Sequence, residues 1–328
     1  MDDTLKTLLD EQLTLPPEYR NGLSSHLPMA LHALHSMGAV PARLRVFYDT
    51  YATRFQGRRA APPAPPPVDW LALRGKIDAF PALQACFARA IAQDGAELTL
   101  RAAVPALMPG VAAAALHGAI RTAHAVEAGH PDELAAALAY WAASWSALPP
   151  VPAATGSEPF DLWTERLQQA GDQWQPGPGL ISAGMRLAAD TAAWRELVAA
   201  PTLPPDPLAA LARFAAHRYA FTRNFTVLHL VTGCRALQVL APWCDAQAPA
   251  HALRAYVAAY LSSGVGSRHT QSRQVPPDWL ALRAGAIASD DDHIVKLVHA
   301  AADWAARCGG DDSPWRAAAA TALSARSA

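Results

Sequence analysis

Twelve histidines are spread along this 328-residue chain, and four stand where a polar side chain has few ordinary partners. His26 follows Ser24-Ser25, a suitable N-cap, and opens LPMALHALHSMG (27–38), with Pro28 acceptable in a first helical turn. His117 lies inside AAAALHGAIR, and His229 inside FTVLHLVTG, the most apolar stretch of the chain. His293 starts HIVKLV directly after the acidic cap Asp290-Asp291-Asp292. A lone histidine is more often a hydrogen-bonded core or surface residue than a ligand, so context rather than residue type selects these four. An unsatisfied buried polar group costs about 1–3 kcal/mol. A metal ion is one partner that removes the cost, and imidazole is its commonest protein ligand.

Lys296 is the strongest single signal. The chain has three lysines, Lys6, Lys76 and Lys296, and every other one of its 27 basic residues is arginine. Lys296 sits among Ile294, Val295, Leu297 and Val298, three residues after His293. At about 100° per residue, the two side chains stand roughly 60° apart on one helix face. A buried ammonium is driven toward the neutral amine. That amine can act as a base, form a Schiff base, or take up carbon dioxide as a carbamate, an anionic oxygen ligand beside a histidine-bound metal. The plainer alternative is a lysine that carries its head out to the helix surface.

His124 shares a face with His117 and is a candidate catalytic or alternative ligand residue, placed behind the others. His32 and His35 fall off the face of His26 and are expected not to be ligands. His130 and His269 stand in turn-like sequence and are expected to be solvated. Trp141 and Trp145 have the spacing of a core stripe or, less favoured, of an aromatic pocket. GVGSRH (264–269) completes no dinucleotide fingerprint and follows no strand, which removes a Rossmann site. No G-x-S-x-G, H-E-x-x-H or Walker pattern occurs.

The elements that must carry these residues are helices. Apolar residues recur at three and four in 27–38, 83–93, 111–129, 131–148 and 292–308, each bounded by Gly or Pro, and no segment alternates as a strand would. Alanine, the best helix former, dominates the composition. GRRAAPPAPPPV (57–68), 147–159, 201–207 and 262–277 are expected loops, the first a lid or a linker. The chain is 52% hydrophobic and 17% charged, with net charge −1, which supports a large core and gives no basic surface for nucleic acid. No apolar run reaches the roughly 18 residues of a membrane span. The acidic start MDDTLKTLLDEQ is unlike a signal peptide. Cys86, Cys234, Cys244 and Cys308 show no paired spacing, so reduced thiols in a cytoplasmic protein are expected.

One echo runs through the chain. PPVDWLALRGKI (66–77) matches VPPDWLALRAGAI (275–287), and weaker matches pair His26 with His229 and His117 with His293. Either an ancient duplication or the coincidences of an Ala/Leu-rich chain explains it. A duplication makes residues 1–328 one compact all-α domain of two facing halves, about 1–150 and 160–310, each offering two histidines to the centre.

His26-Leu27-Pro28-Met29-Ala30-Leu31, Leu116-His117-Gly118-Ala119-Ile120-Arg121, Leu228-His229-Leu230-Val231-Thr232-Gly233 and Asp292-His293-Ile294-Val295-Lys296-Leu297 resemble, in order, the blocks of the questin oxidase-like proteins. That family includes fungal enzymes that oxidatively open anthraquinone-type aromatic polyketides, by a Baeyer–Villiger-like or dioxygenase outcome, and bacterial relatives. The resemblance implies a helical fold and, in metal-dependent members, a non-haem iron held by four histidines and a carboxylated lysine. Carried over by motif, His26, His117, His229 and His293 are the histidine ligands and Lys296 the carbamate. His124 departs from the family block, where an aromatic residue is expected, and Ala119 is smaller than the usual aliphatic residue.

Two functions follow as expectations. One is an Fe(II)-dependent oxygenase acting with dioxygen on a quinone or related aromatic, with NADPH as reductant in some members but no dedicated site for it here. The other is a helical binding or scaffold protein with structural histidines. A zinc hydrolase fits less well, because catalytic zinc usually keeps three protein ligands. Convergence of the four distant histidines separates the first reading from the second.

Overall fold

The computed structural model describes residues 3–20, 22–151, 156–267 and 275–324. His269 and the rest of 268–274 in the 262–277 loop therefore lie outside the described residues. The all-α expectation holds, with fifteen helices among the described residues. The first half supplies α1 (Asp3–Gln12), α2 (Leu27–Ser36), α3 (Pro41–Ala52), α4 (Phe80–Leu107), α5 (His117–Ala128) and α6 (Pro131–Ala143). The second supplies α7 (Phe160–Gln173), α8 (Ile181–Ala189), α9 (Ala192–Ala199), α10 (Pro207–Thr222), α11 (Phe225–Leu240), α12 (Ala248–Ser262), α13 (Trp279–Ile287), α14 (Asp292–Cys308) and α15 (Ser313–Leu323). The expected absence of strands is corrected in one place. β1 (Glu18–Tyr19) and β2 (Leu23–Ser24) form a short antiparallel ribbon, with Glu18 opposite Ser24, that delivers the chain to His26.

Four helices form the frame of the molecule. α2 packs on α5, α5 on α11, α11 on α14, and α14 back on α2. The remaining helices close around this ring. α1 and α3 back α2, α6 lies between α4 and α5, and α10, α12 and α15 cover the outer faces of α11 and α14. Contact between α5 and α6 is close enough to require glycine. A Cβ on Gly118 would stand 2.7 Å from the Cβ of Trp141. Trp141 is thus a core residue, 1% exposed, and the aromatic pair at 141 and 145 is no pocket stripe.

Local chemistry sets where the frame helices begin. Asn224 accepts from the backbone N–H groups of Thr226 and Val227 and starts α11, and Asp291 accepts from His293 and Ile294 and starts α14. At α2 the N-cap is His26 itself, without a side-chain cap bond, rather than Ser24 or Ser25. α5 begins unusually. Ala114, Ala115 and Leu116 hold φ of 47°, 55° and 70°, three consecutive left-handed residues without a glycine. Such backbone costs about 1–2 kcal/mol per residue and persists only where packing enforces it.

The two Trp-Leu-Ala-Leu-Arg copies fold differently. Trp279 opens α13, whereas Trp70 precedes only a single 3-10 turn at Leu71–Leu73. Gly75 follows with φ 76° and donates its N–H to Ala142 O, which stops the turn where the second copy continues through Ala284. One stretch, Phe225–Trp243, does have the length and hydropathy of a membrane span, and 67% of it is buried within the protein. Buried His229 and Arg235 lie along it, as suits a core helix that carries a site.

Candidate metal centre

The ring of helices brings the four selected histidines together. His26 stacks on His117 with centroids 4.5 Å apart, His117 meets His229 at 4.9 Å, His229 meets His293 at 5.4 Å, and His293 closes on His26 at 4.6 Å. The residues come from four helices and span 267 positions, so only the tertiary fold can assemble them. His26 is the N-cap of α2, His117 and His293 lie in the first turns of α5 and α14, and His229 sits in the second turn of α11. All four helices therefore point their N-terminal, partly positive ends at one place, which disfavours imidazolium there.

Each imidazole is held through Nδ1. His117 Nδ1 donates to Ala114 O at 2.5 Å, and His229 Nδ1 to Phe225 O at 2.8 Å. His26 Nδ1 donates to Asp292 Oδ2, and His293 Nδ1 lies 3.1 Å from the same oxygen. With Nδ1 carrying the proton, Nε2 offers a lone pair. The Nε2 atoms of His117, His229 and His293 are buried and have no hydrogen-bond partner.

Burial pushes the His26 imidazole down to about 3, and it pushes His117 and His229 well below their ordinary value. Lys296 adds to the depression at all three, so its ammonium stands close to them. Lys296 does not reach the surface. It is 1% exposed, and burial lowers its pKa to about 8 against the pull of Asp292 and Asp291.

Asp292 is the residue that sequence reasoning missed. It looked like one of three capping acids, but Asp291 takes the cap and Asp292 turns inward, 1% exposed. Burial alone would raise its pKa, and the neighbouring His26, His293 and Lys296 outweigh that and hold it well below the usual carboxylate range. Arg54 Nη1 donates to its other oxygen at 2.6 Å. Its only sequence signal was its place directly before His293.

The histidines open into a pocket of about 260 Å³, walled by Leu23, Ala114, Ala115, Leu180, Ile181 and Phe225. The Phe225 ring lies 4.5 Å from that of His293 and 4.9 Å from that of His229. A second pocket of similar size, between Leu203, Leu211, Leu237 and Leu253, holds none of the histidines.

The other candidates lie elsewhere. His124 is not on the pocket wall; it packs against His32 and His299, further along the same helices. His130 is not solvated. It is 2% exposed, caps α6 by accepting from Glu133 N, and lies 3.0 Å from Asp10 through Nε2.

No curated protein matches the chain. Residues 23–301 match the family model described as questin oxidase-like, a stretch that contains all four pocket histidines, Lys296 and Asp292. With that match running through most of its 328 residues, the chain belongs to the questin oxidase-like family.

Proposed function

We propose that His26, His117, His229 and His293 bind one divalent transition metal, iron(II), through Nε2, with carboxylated Lys296 as a further ligand. The centre would oxidise a quinone or related aromatic with dioxygen, by dioxygenase ring cleavage that takes up both oxygen atoms, or by a Baeyer–Villiger-like insertion of one atom with NADPH supplying the two electrons that reduce the other to water. One observation carries the proposal: the Nδ1 atoms of His26, His117 and His229 are spent on fixed acceptors, that of His293 lies 3.1 Å from Asp292, and three buried Nε2 atoms have nothing to bind. The spacing agrees. Two metal–nitrogen bonds of about 2.1 Å at right angles place the ring centroids roughly 4.5 Å apart, against 4.5–5.4 Å around this ring. A scaffold protein gives no reason for such convergence.

Iron held there supplies electrons for dioxygen and a Lewis acid for developing negative charge. The chain does the rest. Asp292 fixes the His26 imidazole in one tautomer and adds negative charge behind His26 and His293. Lys296, with its pKa near neutrality, presents a fraction of free amine whose nitrogen can bond carbon dioxide and release a proton, turning a repelling cation into an anionic donor. Leu180, Ile181 and Phe225 offer apolar walls and one aromatic face to a planar substrate.

Metal content of untagged protein tests the reading. Near-stoichiometric iron in the wild type, lost in His229→Ala and Lys296→Ala without unfolding, supports it, and oxygen consumption with a panel of quinones then defines the substrate. Wild-type protein that stays metal-free after treatment with ferrous iron and bicarbonate would sink it.

A further inference from the structure

The helices that carry the pocket histidines repeat the device one level down. His32 follows His26 by six residues on α2, His124 follows His117 by seven on α5, and His299 follows His293 by six on α14. At 1.5 Å per residue this second tier lies roughly 9–10 Å along the helices. Its three rings are in mutual contact, with centroids 5.1, 5.4 and 5.8 Å apart. All three residues are at least nine-tenths buried. Two contacting tiers on the same helices also mean that α2, α5 and α14 run away from the pocket in one direction.

Hydrogen bonding fixes the tautomer at His32. Ser36 Oγ donates its proton to His32 O at 2.9 Å, so the 3.2 Å contact between His32 Nε2 and Ser36 Oγ needs the proton on Nε2. His32 Nδ1 is then a bare lone pair, 2.8 Å from His124 Nδ1. That gap accepts a shared proton or a cation bound to both nitrogens. A Glu127 oxygen lies within 4.8 Å of both ligand atoms. His299 Nδ1 is buried and has no hydrogen-bond partner. Arg235, six residues after His229 on α11, faces all three rings, Arg283 also faces His299 and Lys296 faces His124, and Glu127 and Asp303 both pair with Arg235.

We infer that His32, His124, His299 and Glu127 form a second metal site, distinct from the pocket centre, for a borderline transition cation such as zinc(II) or cobalt(II). Three neutral nitrogens and one carboxylate suit such an ion and not magnesium or calcium, which take oxygen ligands. Four protein donors, with three of the side chains buried, make the site closed, and so structural: the ion clamps α2, α5 and α14 beneath the tier above. Glu127, at the surface end of the cluster, gives the ion its way in. The inference does not depend on the metal proposed for the pocket.

The test is a cobalt(II) titration of full-length, metal-stripped protein, counting bound equivalents and following the visible spectrum. Two equivalents are expected in the wild type. His124→Phe should lose one of them, with at least ten-fold weaker binding at that site and loss of the intense bands of four-coordinate cobalt, and His229→Ala should lose the other. Circular dichroism checks folding, and His299→Gln reads the same site if His124→Phe unfolds. Equal cobalt uptake by wild type and by folded His124→Phe or His299→Gln overturns the second site. So does a single wild-type equivalent that only His229→Ala removes. A single equivalent that survives His229→Ala but not His124→Phe upholds the second site and defeats the pocket reading.

Discussion

His26 and Asp292 stand 266 residues apart in the chain and share a buried hydrogen bond, imidazole Nδ1 donating to carboxylate oxygen. The same oxygen holds His293, and the other holds Arg54. One carboxylate thus orients the His26 ring, lies against that of His293, and anchors the turn after α3 to α14, coupling the stability of this corner to the aim of the lone pairs.

Asp292→Asn should weaken metal binding by roughly 10–100-fold, the usual consequence of losing a group that orients a ligand. An amide offers one acceptor where the carboxylate accepts from both His26 and Arg54, so the His26 imidazole or its anchor loses its partner. Chelator competition measures the effect, and an unchanged affinity would remove Asp292 from this role.

Lys296→Met should separate folding from function. Lowering a lysine from 10.5 to about 8 corresponds to a burial cost on the order of 3 kcal/mol, which methionine avoids while filling similar space. Metal-free Lys296→Met should melt above metal-free wild type and yet retain little iron. A lower melting temperature in the metal-free form would show that the ammonium is well paired.

Gly233→Ala tests the strained entry to α5. A Cβ there would stand 2.7 Å from Leu116 Cδ1, and Leu116 is the last of the three left-handed residues before His117. Overpacking of this kind costs about 1–3 kcal/mol, and displacement of His117 should lower metal content as well. Ala115→Gly should act the other way on stability, by up to about 1 kcal/mol, because glycine takes a positive φ without a Cβ clash. Chemical denaturation of both variants reads the two signs.

Acid should unfold the metal-free protein steeply. His26, His32, His117, His124, His229 and His299 all have folded pKa values below the ordinary 6.5. Above that value both states are neutral and nothing is lost. As the pH falls below 6.5 the unfolded chain takes up protons that the folded one refuses, and each imidazole removes about 1.4 kcal/mol per pH unit until its folded pKa is reached. Glu127 and Glu18, whose pKa values burial raises, oppose this with two groups. Denaturation at pH 7.5, 6.0 and 5.0 should show a fall several times that of one histidine. A flat profile across this window would mean that the buried rings have charge partners.

Much of the centre could be read without coordinates, because burial leaves a local trace. His117 and His229 are polar residues in apolar helical periods, and Lys296 is a rare lysine in another. The order of the four blocks carried the family. Asp292 was hidden by a difference of one position, since nothing in Asp290-Asp291-Asp292 says which acid caps the helix and which turns inward. The second tier was hidden for a related reason. His32 was judged against the face of His26 alone, although the spacing of six or seven recurs on three helices and could have been noticed. Ala114-Ala115-Leu116 reads as helix by propensity, yet all three residues hold a positive φ, with Leu116 close against Gly233.

Helical class, the position of most helices, and the identity of the chemically unusual residues follow from periodicity and composition within ten or fifteen residues, where backbone hydrogen bonds and side-chain burial are local. Which imidazole nitrogen carries a proton, which carboxylate stands behind it, and which histidines share a cluster depend on contacts between residues up to 266 positions apart. Those contacts exist only once α2, α5, α11 and α14 close into a ring, because the free energy that holds a strained turn or a buried carboxylate comes from the packing of all four helices together.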